Sequence, residues 1–166
     1  MEIRNVKKED ITEIRNIYSK SYIDEESGRP KDEDVDYFTK KVEDYVDQTK
    51  ESLGSDYYYL VAENNTKVIG VIGTRKPHVR LLPLAKTDNS VELYSLFVLE
   101  KNLGVGKSLV NKIIEICRQK GYSEMMVLSA NRWKESWPFY DKLGFERAGT
   151  ITELSGRLSQ VWTREL

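Results

Sequence analysis

The stretch "EKNLGVGKSL", residues 100–109, sets two glycines and a Gly-Lys-Ser triplet between an apolar run and a helical pattern. A loop this poor in side chains, opening directly into a helix, exposes backbone N–H groups at the positive end of the helix dipole, which is how a chain holds phosphate. Three ligands compete for such a loop: a nucleoside triphosphate, a dinucleotide and the pyrophosphate of coenzyme A. A P-loop requires a glycine five positions before the triplet, where this chain has Lys101. A dinucleotide fingerprint requires a third glycine at the place of Leu109, and no acid at a following strand end is evident. A plain glycine-rich turn explains the two glycines but gives the residues after them no role.

Periodicity supplies the segments that hold this loop in place. "VELYSLFVL" reads as a strand, "GVGKSLVNKIIEICRQK" as an amphipathic helix with Leu109, Ile113 and Ile116 inward, and "SEMMVLSA", after the Gly121 stop, as a second strand. That order is a crossover between two parallel strands. Upstream, "EIRNV" alternates as a short strand, and Asp10 with Glu13 matches a capping box for a helix carrying Ile11, Ile14, Ile17 and Tyr18. "SGRP" at 27–30 breaks the chain, and a second helix runs from about Glu33 to Leu53. "YYYLVAE" and "KVIGVIGT" flank "NNT" as a hairpin. "RKPHVRLLPLAKTDN" has two prolines and no period, so it is an irregular excursion. "KESWPFYDKL" is a short helix ended by Gly144, and "FERAGT" and "SQVWTRE" are closing strands. Hairpins combined with one crossover give an α/β fold of the mixed α+β kind rather than a doubly wound sheet.

At 166 residues the chain is expected to form one domain, residues 1–166, that buries roughly 70% of its unfolded surface. Lys and Arg total 26 against 27 Asp and Glu, a balance that supplies no field for nucleic acid or an anionic membrane. Cys117 is the single cysteine, which excludes an internal disulfide and a Cys-rich zinc site and fits a reducing compartment. Met1 leads into "EIRNV" with no apolar signal region, and no apolar stretch reaches membrane length. The expectation is a soluble, cytoplasmic protein with no metal site.

Beyond the loop comes "NRWKESWPFYDKLGF", residues 131–145. "GVGKSL" and "FYDKLGF", separated by a helix and a strand, make the chain resemble the GNAT superfamily of acetyl-CoA-dependent N-acetyltransferases, and the order of elements matches along nearly the whole chain. The resemblance implies a three-layer fold around a central mixed, mostly antiparallel sheet of about seven strands with about four helices. It also implies acetyl-CoA as co-substrate. The family's coenzyme loop opens on Arg or Gln, and Lys101 stands at that place, followed by Gly104 and Gly106 at the glycine positions.

On this resemblance, backbone N–H groups of Leu103, Gly104, Val105, Gly106, Lys107 and Ser108 cradle the diphosphate. Leu96, Phe97 and Val98 lie along the thioester and pantetheine arm, where a bulge splays two parallel strands, and Asn131 and Ser136 are placed to bond the pantetheine amides. Tyr140 falls at the family's general-acid position, where a phenol stays protonated at neutral pH and can give its proton to the departing thiolate. Glu92 precedes Val98 by six residues and shares its face by alternation, which puts it where the family often carries a base, acting through water. Tyr94, on the same face, is the reserve; an acidic strand end facing solvent is the plain alternative. His78 lies in the irregular excursion and Cys117 among apolar neighbours, so direct transfer through a tetrahedral intermediate is favoured over an acetyl-cysteine.

The acceptor is less defined. The resemblance places its site on the first two helices, their connection and the loop before the central strand. That connection reads "DEESGRPKDEDVD", with acids that suit a cationic amine or serve simply as a solvated cluster and helix start. Tyr22 and the run Tyr57 to Tyr59 offer aromatic walls. The partners expected are acetyl-CoA and an amine of a small molecule or peptide, with a homodimer admissible. The alternative is a non-catalytic acyl-CoA-binding or regulatory domain that keeps the cradle and has no use for Tyr140 or Glu92.

Overall fold

The backbone groups of each run pair as the periodicity dictates. A computed structural model describes residues 1–22, 35–55, 57–101, 103–154 and 156–166. In chain order its elements are β1 (Glu2–Asn5), α1 (Ile11–Tyr22), α2 (Val35–Ser52), β2 (Tyr59–Asn64), β3 (Lys67–Arg75), β4 (Ser90–Val98), α3 (Val105–Gln119), β5 (Glu124–Ser129), α4 (Trp137–Lys142), β6 (Glu146–Thr152) and β7 (Leu158–Glu165). The strands make a seven-stranded sheet in the order β1-β2-β3-β4-β5-β7-β6. β4 and β5 run parallel, while the pairs β1–β2, β2–β3, β5–β7 and β6–β7 are antiparallel. The mixed, mostly antiparallel sheet with a parallel strand–helix–strand crossover is thus the one expected.

The chain divides into two compact units, residues 1–73 with 95–113, and residues 74–94 with 114–166. In the first, α1 and α2 close an aromatic cluster on β4: the Phe97 ring lies 5.2 Å from Tyr18, 5.6 Å from Tyr22 and 5.4 Å from Tyr45. Tyr18 and Thr49 share a buried hydroxyl hydrogen bond of 3.0 Å. Tyr22 therefore serves as packing for Phe97, and Tyr59 is buried across Gly73, where a Cβ would stand 2.2 Å from the ring. On β3, a Cβ at Gly70 would lie 3.1 Å from both Leu109 and Val105, so the missing side chain lets the first turns of α3 rest directly on the strand.

The capping box expected of Asp10 and Glu13 is not formed. Asp10 ends a 3₁₀ turn, accepts from the Lys7 N–H at 2.7 Å, and is gripped at both oxygens by Arg4, which holds its carboxyl below the usual range. Glu13 instead accepts from the Val68 N–H at 3.0 Å. Arg4 for Asp10 and the Val68 N–H for Glu13 take the place of the local cap. The acidic connection at 24–34 lies outside the described residues.

In the second unit the excursion between β3 and β4 is a fixed cover. Leu81 is fully buried against Met126 and Val161. Two buried glutamates tie its ends: Glu92 accepts from the His78 N–H at 2.9 Å, and Glu124 accepts from the Lys86 N–H at 3.1 Å and from Ser90 Oγ at 2.7 Å. Its middle is held by Arg80, which donates to the Thr152 carbonyl at 2.6 Å.

The β2–β3 hairpin turns on Asn65 and Thr66, both left-handed, at φ 49° and 64°. A β-branched residue pays sterically for that conformation, so Thr66→Gly should stabilise the chain by about 1 kcal/mol. Thermal unfolding should show this as a rise in Tm of roughly 2–4 °C; an unchanged or lower Tm would contradict it.

Candidate active site

Leu109, Val110, Ile113, Ile114 and Cys117 bury one face of α3. Ile116, expected inward, is only half-buried, because the buried stripe turns one residue away from it. Gly104 precedes the helix at φ +77°, a conformation that suits glycine. The Ser108 N–H donates to the Gly104 carbonyl at 3.0 Å and so closes the first helical turn. Ser108 therefore offers its hydroxyl rather than its amide, while the amides of Val105, Gly106 and Lys107 precede any intrahelical acceptor. No heavy atom lies within 4 Å of where a Gly104 Cβ would be, so this side of the turn is open. Lys101 and Lys107 are exposed, and Leu103 is 66% exposed.

β4 changes character along its length. Its parallel ladder with β5 runs from Ser90↔Glu124 to Leu93↔Val127, and the strand continues to Val98. Leu96, Phe97 and Val98, in that continuation, are half-buried. Near the start of the strand Glu92 is 2% exposed. Arg75 Nη2 donates to its Oε1 and Arg75 Nε to its Oε2, each at 2.9 Å, and the His78 N–H adds the third bond. Tyr94 is half-buried beneath the same guanidinium, which lies 3.6 Å from its ring centroid. The His78 side chain is exposed and accepts from the Arg80 N–H at 3.3 Å.

Tyr140 sits among rings, 5.1 Å from Trp162, 5.4 Å from Phe139 and 6.0 Å from Phe145. Burial among them raises its phenol pKa well above the usual value, and its hydroxyl has no hydrogen-bond partner among the described residues. Trp162 is itself oriented by Asp141, which accepts its indole N–H at 2.8 Å and is held below the usual carboxylate range by Arg147. Asn131 is anchored by its N–H to Glu153 at 2.9 Å and by its side-chain amide to the Leu158 carbonyl at 3.4 Å. Ser136 is half-buried immediately before α4.

Residues 11–145 match the model of the family described as the acetyltransferase (GNAT) family. The chain belongs to that family. Among curated relatives it is 26% identical over 112 residues to the probable N-acetyltransferase family 8 member 5 of Mus musculus, covering 68% of this chain and 48% of that protein. The chain spans about half the length of the curated relatives it matches. Among solved structures, the PaiA N-acetyltransferase of Thermoplasma acidophilum, in complex with coenzyme A, superposes with a TM-score of 0.75 at 18% identity, covering 99% of this chain and 98% of that one. The ribosomal-protein-alanine N-acetyltransferase of Brucella melitensis gives 0.75 at 21% identity over 100% of both chains. These likenesses show the GNAT fold.

Arg75, Trp162 and Asp141 had no signal in the sequence. Each acts through a partner 17 or more residues away, and nothing local marks a strand-end arginine as a carboxylate's clamp. Cys117 is buried, and burial pushes its thiol up to about 12. Only a thiolate fraction on the order of 10⁻⁴ is then present at pH 8. A disulfide reagent at that pH should leave the native thiol unlabelled on the time scale of minutes and react fully in denaturant; stoichiometric labelling within seconds would contradict this.

Proposed function

We propose that this chain, as a single N-acetyltransferase domain over residues 1–166, transfers an acetyl group from acetyl-CoA to a primary amine of a small molecule or peptide. The observation that carries the reading is the start of α3: a left-handed glycine, an open side where a Cβ would stand, and three amides ahead of the first helical bond. That arrangement fits a diphosphate. Family membership and the coenzyme A bound in the PaiA structure support the same ligand. Acetyl-CoA supplies the activated acyl group as a thioester.

In this reading the amides of Val105, Gly106 and Lys107, with the Ser108 hydroxyl, hold the diphosphate; Leu103, Gly104 and Lys101 complete the loop. The backbone of β4 at Leu96, Phe97 and Val98, beyond the last pair with β5, receives the thioester arm, and Asn131 and Ser136 bond its amides. Tyr140 gives its phenolic proton to the departing sulfur and regains one from solvent. A raised pKa keeps it protonated through the whole working pH range, the state an acid needs. Glu92 accepts three hydrogen bonds, which leaves about one of its four lone-pair directions, so it draws the amine's proton through a water. Transfer is direct, since the buried Cys117 thiol is not a nucleophile. The acidic run at 24–36 would favour a cationic amine as acceptor, and the location is cytoplasmic, in keeping with a lone unpaired thiol.

Thiol release from acetyl-CoA across a panel of amines tests this. Wild type should turn over at least one acceptor, and Tyr140→Phe should lower kcat by about 10²-fold or more while acetyl-CoA affinity stays within about twofold. Saturable acetyl-CoA binding with no turnover on any amine would leave the non-catalytic acyl-CoA-binding domain as the reading instead.

A further inference from the structure

The Glu92 carboxylate is buried and accepts three hydrogen bonds, two of them from Arg75. The guanidinium meets both carboxylate oxygens, each at 2.9 Å, in a two-point fork. The same group lies over Tyr94, 3.6 Å from the ring centroid. Arg75 ends β3 and Glu92 and Tyr94 belong to β4, so one side chain fixes the two groups proposed as base and reserve. Little else about Glu92 is free to vary. The excursion presents only the His78 main-chain N–H, the register partner on β5 is the apolar Met126, and Glu124, two residues away on that strand, is already engaged by Lys86 and Ser90.

Resting on the acetyltransferase reading, we infer that Arg75 is a positioning residue for the reaction: it acts through Glu92 and Tyr94, aiming the remaining lone pair of Glu92 at the water that receives the amine's proton. Three fixed bonds remove the rotation by which a glutamate would turn that lone pair away. Pre-set direction of this kind raises the rate of the bound complex and leaves coenzyme binding untouched. It also needs a plane: a lysine supplies the charge but neither the fork nor the stacking surface.

That difference separates positioning from charge balance. Arg75→Lys should retain the fold and bind acetyl-CoA with a KM within about twofold of wild type, yet lose about tenfold in kcat. Arg75→Ala should lose about 10²-fold, with part of the loss recovered by millimolar methylguanidine, and Arg75→Ala combined with Glu92→Gln should be no slower than the slower single variant. If Arg75→Ala does not fold, the split between kcat and KM in Arg75→Lys decides alone. Wild-type turnover together with an undiminished kcat in Arg75→Lys would overturn this inference and leave the transferase reading intact. Absence of turnover in wild type on every amine would overturn both.

Discussion

Three amides at the start of α3, which the helix cannot satisfy by itself, underlie everything proposed for this chain. Val105, Gly106 and Lys107 precede the first intrahelical bond, which Ser108 makes to Gly104. Such groups demand an acceptor from outside the helix, and the direction in which they point is fixed by what lies behind them. Gly70 contributes by having no side chain, which lets Val105 and Leu109 close on β3. Gly104 contributes by its φ of +77°, with no heavy atom within 4 Å of where its Cβ would stand.

A second constraint acts through buried carboxylates. Glu92 and Glu124 lie almost wholly out of water, and each accepts a main-chain N–H at one end of the excursion between β3 and β4 together with side-chain donors, Arg75 for Glu92 and Ser90 for Glu124. Unpaired, either would cost several kcal/mol. Satisfied, they tie down both ends of a segment with almost no regular structure of its own, with Leu81 buried beneath it. The position of Glu92 therefore answers to structure and chemistry together, and Arg75 is where the two demands meet.

The elements were legible in the sequence wherever a side-chain period sets burial. The near-continuous apolar runs of β2 to β5, the apolar stripe of α3 and the glycine stop at residue 121 all follow from residues a few positions apart. The loop at 103–108 was legible for the same reason, since a cradle made of main chain needs only glycine and a helix start. What could not be read is which side chain pairs with which. Asp10 has the right neighbour for a capping box and is taken by Arg4 instead, because a two-point ion pair outweighs a local cap. Glu92 has the alternation of a strand-end acid, and no pattern announces that Arg75, 17 residues earlier, closes on it. Ile116 has helical spacing and is only half-buried, since spacing gives the stripe but not its centre.

The amide cradle can be watched directly by following the backbone N–H signals of the ¹⁵N-labelled protein as acetyl-CoA is added, beside a parallel titration with S-acetylpantetheine, which carries the thioester and no diphosphate. If the diphosphate is what these amides hold, acetyl-CoA produces its largest shifts at Gly104 to Lys107, and S-acetylpantetheine leaves those four amides unmoved. Equal shifts with both compounds, or none at millimolar acetyl-CoA, would contradict it.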